Sequence, residues 1–141
     1  RRFWDLIHNL TTHGTTVFVS THYMEEAEYC HRLALMNRGR MIALDTPARL
    51  RAGMRAPLFE LLTDDSPRTV EALAGAPGVE EAAMYGRSVH LTATDREQAQ
   101  RDIPARLAAA GLTLHGMREI APSLEDVFVY QVRAAGGAPV D

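Results

Sequence analysis

The chain has 141 residues, 46% hydrophobic and 23% charged, the balance of one ordinary globular domain or two small ones. Its net charge of −3 argues against a nucleic-acid module, its single cysteine, Cys30, excludes an internal disulfide, and no apolar run approaches the roughly 18–20 residues of a membrane-spanning helix. All fifteen basic residues are Arg, and without Lys the chain carries neither a G-x-x-x-x-G-K-[ST] phosphate loop nor Schiff-base lysine chemistry.

In chain order, Phe3, Trp4, Ile7 and Leu10 recur at helical spacing ahead of Gly14, which predicts an amphipathic helix over 1–12. Thr15 to Ser20 enclose Val17-Phe18-Val19 without alternation, the pattern of a strand buried on both faces of a parallel sheet. Tyr23 to Cys30 read as a short helix whose Glu25, Glu26 and Glu28 favour its positive end. Two short apolar runs, Leu33 to Asn37 and Arg40 to Leu44, flank Asn37-Arg38-Gly39 as a hairpin, and Thr46-Pro47 open a helix to about Ala52.

The texture changes around Gly53 to Pro57. A strand is expected over Leu58 to Thr63, a helix from Ser66-Pro67 to Ala74, strands over Val79 to Met84 and Ser88 to Ala93, and a last strand over Leu112 to Ile120. Thr94 and Glu97 form a capping box for a helix running to Ala110, which Pro104 should kink or divide. Ser123 caps a final helix with Leu124, Val127, Phe128 and Val132 on one face, and the tail 135–141 lacks periodicity and is expected to be disordered. The order βαββαβ plus a helix is the split βαβ, or ferredoxin-like, arrangement.

Three constellations carry chemistry. His22 stands just past a strand's carboxyl end, where ligands of open parallel sheets bind, so it reads as a phosphate contact or, more plainly on spacing alone, as a helix cap. His22, Glu26 and Cys30 stand at i, i+4 and i+8, a possible zinc set or a solvated acidic face with a small buried Cys. Asp64 and Asp65 follow an apolar strand as magnesium ligands do, but the plainer reading, a polar turn with a helix cap, is preferred. The other histidines show no ligand spacing.

The stretch TTVFVSTHYMEEAEYCHRLALMNRGRMIALDTPARL, residues 15–50, closely resembles the C-terminal end of an ATP-binding cassette (ABC) transporter ATPase domain, of the type that drives bacterial drug and polysaccharide exporters. The resemblance implies that Ser20-Thr21-His22 is the switch-loop motif and that His22 contacts the γ-phosphate of ATP. Pro122-Ser123-Leu124-Glu125-Asp126-Val127-Phe128 resembles the close of an extension that such proteins carry. His31 and Asp45 depart from the family pattern, which has Asp and Gly there. The phosphate loop (Walker A), the signature Leu-Ser-Gly-Gly-Gln and the magnesium strand (Walker B) with its catalytic Glu are expected before Arg1.

The implied organisation is α/β: residues 1–53 end a P-loop ABC nucleotide-binding domain, and 57–134 form a ferredoxin-like α+β accessory domain with an extra C-terminal helix. The longer protein is expected to bind ATP and Mg2+, to pair with a second ATP-binding subunit, to drive a membrane-spanning permease and to sit on the cytoplasmic, inner face of the membrane. No metal ligand set and no nucleic-acid partner are expected, and the piece alone should not hydrolyse ATP. The alternative from another class is a ferredoxin-like regulatory, small-ligand-sensing or dimerisation module without catalysis.

Overall fold

Residues 2–136 are described by the structure, a computed structural model, and they fall into two units. One takes the chain up to Gly53 and again from Ser123; the other is Met54–Pro122. Of the tail 135–141, residues 137–141 lie outside the described residues.

The first unit opens with α1, Arg2–Thr12, whose Trp4 is buried and stacks on Tyr29 with ring centroids 5.3 Å apart. Gly14, at φ +90°, ends it: the Gly14 N–H donates to the Thr11 carbonyl and the Thr15 N–H to the Leu10 carbonyl, the two bonds of a Schellman stop. The strand expected over Thr15 to Ser20 is absent. That segment forms no ladder, and Phe18 is 93% exposed. A strand exists only by pairing, and the first unit's sheet among the described residues is the two-stranded β1-β2, Leu33–Asn37 and Arg40–Asp45.

Between them, α2 spans only Met24–Ala27, half the helix expected over Tyr23 to Cys30. The β1-β2 hairpin forms as the sequence predicts, turning through Arg38 (φ +53°) and Gly39 (φ +76°), the left-handed pair that a two-residue hairpin matching strand twist requires. Thr46 then caps α3, Pro47–Gly53, its hydroxyl accepting from the Arg49 N–H at 3.2 Å.

The second unit has β3 (Leu58–Thr63), α4 (Ser66–Leu73), β4 (Val79–Tyr85), β5 (Ser88–Ala93), α5 (Arg96–Ala109) and β6 (Leu114–Glu119). The strands form one antiparallel sheet in the order β4-β5-β3-β6, so the ferredoxin-like topology is present. Phe59 and Leu61 of β3 and Val89, Leu91 and Ala93 of β5 meet Leu73 of α4 and Ala99, Ile103 and Leu107 of α5 in one core. Alternation along β3 explains the choice of face: Phe59 and Leu61 point inward while Leu62 is exposed.

Two local expectations are corrected here. The cap of α5 is Asp95, which accepts from the Gln98 N–H at 2.8 Å, while Thr94 lies one residue too early and reaches the Gly78 carbonyl instead. Pro104 does not divide α5, which runs from Arg96 to Ala109 as one helix. Pro104 removes one N–H, and the carbonyl it leaves, that of Gln100, is on an exposed residue where water can serve it.

The last helix, α6 (Leu124–Ala134), starts in a reciprocal capping box: the Ser123 hydroxyl accepts from the Asp126 N–H at 3.2 Å, and the Asp126 carboxylate accepts from the Ser123 N–H at 2.9 Å. Leu124, Val127 and Val132 are buried and Phe128 is half-buried. Its neighbours are α2, α3 and β2, so it groups with the first unit.

Candidate functional site

His22 sits in the segment between α1 and α2, and it does not cap α2, whose cap position is Tyr23. Its ring is exposed and rests against the Tyr23 ring, with centroids 4.0 Å apart and planes inclined by 37°. The turn beneath is fastened through Thr21. The Thr21 hydroxyl accepts from the Tyr23 N–H at 3.0 Å, closing a local side-chain-to-backbone turn, and donates to the Glu26 carboxylate at 2.8 Å. Thr21 and Glu26 are both partly buried, so this bond is shielded more than the imidazole it supports.

The acidic residues behind His22 thus divide their work. Glu26 secures the turn, and Glu28 pairs with Arg51 of α3. Cys30 is partly buried, and its thiol is pushed above the ordinary value of 9.0, first by burial and then by the Glu26 carboxylate. A thiol held protonated is a poor zinc ligand. Among the described residues no group of three His, Cys, Asp or Glu is placed to hold a metal ion, and the single helical face that i, i+4, i+8 spacing required is missing because α2 has four residues. What the site offers is an exposed imidazole on a secured turn, able to donate a hydrogen bond to an anionic oxygen.

The remaining candidates are structural. Asp65 caps α4 by accepting from the Arg68 N–H at 3.1 Å, and Asp64 accepts from the Thr113 N–H at 3.0 Å. Both carboxylates therefore serve a turn and a cap. His31 is exposed, its ring edge-on to that of His8, and Asp45 accepts from the Thr46 N–H at 2.8 Å.

A further row escapes any reading by spacing. Glu60 of β3 lies opposite His90 of β5 and Arg118 of β6, its carboxylate 3.8 Å from His90 Nε2 and accepting from Arg118 Nε at 3.0 Å. Tyr85 stacks on His90 at 4.0 Å. This shared carboxylate ties three strands in register and explains why an acidic residue interrupts β3.

Comparison with known proteins covers both units, and the family match takes in α3, the whole second unit and most of α6. Residues 46–132 match the family model described as the C-terminal domain of DrrA1-3-like ATP-binding proteins. The daunorubicin resistance ATP-binding protein DrrA2 of Streptomyces coeruleorubidus is 34% identical over 131 residues, covering 89% of this chain and 41% of that protein. The Nod factor export ATP-binding protein I of Rhizobium sp. (strain N33) is 31% identical over 128 residues, covering 89% of this chain and 40% of that protein. The probable multidrug ABC transporter ATP-binding protein YbhF of Escherichia coli (strain K12) is 50% identical over 52 residues, covering 37% of this chain and 9% of that protein. The chain thus spans well under half the length of these relatives.

Proposed function

Because the chain belongs to the family of ATP-binding proteins with a DrrA1-3-like C-terminal domain, we propose that it is the C-terminal part of the ATP-binding subunit of an ABC exporter, whose ATP hydrolysis is coupled to transport across a membrane. The observation that carries this reading is the likeness to an ATP-binding resistance protein over 89% of the chain, a match too long to leave His22 outside it. In the longer protein, residues 1–53 complete the nucleotide-binding domain and 57–134 form the accessory part, except that its last helix, α6, packs with the first unit. Its partners are a second ATP-binding subunit and a membrane-spanning permease, and its place is the cytoplasmic face of the membrane. No helix among the described residues is long and apolar enough to cross a membrane.

Within these 141 residues we assign one nucleotide contact, His22. Its exposed imidazole donates a hydrogen bond to a γ-phosphate oxygen, where negative charge must be stabilised as the terminal phosphate is transferred to water. The bound nucleotide supplies the bond that is broken and Mg2+ neutralises phosphate charge; the groups that hold adenine, the inner phosphates and Mg2+ belong to the rest of the longer protein. An imidazole at the γ-phosphate also distinguishes ATP from ADP, since its acceptor is present in only one of them.

The test is His22→Ala in the full-length protein. ATP turnover is expected to fall on the order of 10²–10³-fold, while ATP affinity, set by groups elsewhere, changes little. Turnover at the parental rate would remove His22 from the reaction.

A further inference from the structure

We propose that Glu26 and Thr21 are positioning residues for His22, together fixing the imidazole in the orientation from which it meets its anion. The proposal rests on the γ-phosphate reading of His22 for its catalytic consequence, and on the geometry of the turn for its structural content.

Two observations carry it. The Thr21 hydroxyl bonds in both directions: it accepts from the Tyr23 N–H at 3.0 Å and spends its one proton on Glu26 Oε2 at 2.8 Å. The His22 ring lies on the Tyr23 ring at 4.0 Å, so whatever holds the Tyr23 backbone holds the platform under the imidazole. Glu26 lies in α2, and its carboxylate is therefore the link between that helix and the turn.

The chemistry asks only for an acceptor at position 26. Gln presents a carbonyl oxygen to the Thr21 hydroxyl, whereas Ala presents nothing and leaves the hydroxyl free to turn away. At position 21, Ser keeps the hydroxyl and Val removes it at similar volume. A displaced imidazole costs transition-state stabilisation more than nucleotide affinity, because His22 meets only the terminal phosphate.

Two measurements test this. In the full-length protein, Glu26→Ala and Thr21→Val are expected to lower kcat by up to about 10²-fold with KM for ATP little changed, and Glu26→Gln and Thr21→Ser to recover most of that loss. In the 141-residue chain, proton NMR contacts between the His22 and Tyr23 rings should weaken in Glu26→Ala and persist in Glu26→Gln. Equal losses of kcat in Glu26→Ala and Glu26→Gln would overturn the proposal, since charge rather than the acceptor would then matter. Unchanged ring contacts in Glu26→Ala would overturn it as well. His22→Ala run in parallel separates the two readings: if it loses turnover while Glu26→Ala does not, positioning is wrong and the phosphate contact stands. If His22→Ala keeps turnover, the phosphate contact is wrong, and the ring contacts alone decide whether Glu26 secures the turn.

Discussion

Truncating Phe59 to Ala tests the register on which the second unit is built. Phe59 is 1% exposed and faces α4 and α5, while Leu62, three residues on along β3, is 45% exposed on the other face. A phenylalanine side chain buries about 150–250 Å², worth roughly 4–6 kcal/mol at about 25 cal/mol per Å². That is an upper estimate, because the unfolded chain already hides part of the area. Phe59→Ala should therefore cost about 3–5 kcal/mol, and Leu62→Ala about 1 kcal/mol or less. Urea denaturation of the 141-residue chain, followed by circular dichroism, reads both from the shift in midpoint at unchanged slope. A one-residue slip of β3 would exchange its two faces. If Leu62→Ala proved as costly as Phe59→Ala, the register, and with it the core described above, would be wrong.

Pro104→Ala should stabilise the second unit by on the order of 1–3 kcal/mol, since it restores an N–H within an unbroken α5; a lower midpoint on denaturation would contradict this. Cys30 should react with an alkylating reagent at a rate whose pH midpoint lies above 9.0, and Glu26→Gln should move that midpoint down by removing the nearby negative charge. The linked stability follows the sign of that shift: a thiol whose folded value is raised contributes nothing adverse below 9.0, and the fold loses stability as pH rises from 9.0 through the raised value, a loss that Cys30→Ser should abolish.

Elements whose causes are local were legible in the sequence. The turn through Arg38-Gly39, the Thr46-Pro47 start of α3 and the Ser123 cap of α6 each follow from a few adjacent residues, and the ferredoxin-like order followed from their succession. What failed depended on partners. Val17-Phe18-Val19 has the composition of a buried strand, but composition supplies no neighbour to pair with. Thr94 and Asp95 are both good caps, and only the backbone bond to Gln98 decides between them. The row Glu60, His90, Arg118 spans 58 residues of sequence and comes together only once β5 and β6 flank β3. At the candidate site, His22 stood out by its place after an apolar run, but its support did not. Glu26 looked like one of three helix-favouring carboxylates, and the bond from Thr21, five residues back, shows only once the turn is folded against the first turn of α2.

The central claim is that the imidazole of His22 meets the terminal phosphate of ATP. The most direct measurement is the nuclear magnetic resonance of the His22 ring in the full-length protein, assigned by comparison with His22→Ala, on adding a non-hydrolysable ATP analogue or ADP, each with Mg2+. The account predicts that the analogue shifts the ring signals and that ADP, lacking the γ-phosphate, leaves them close to their free positions. The same response to both nucleotides, or no response to either while both bind, would contradict it.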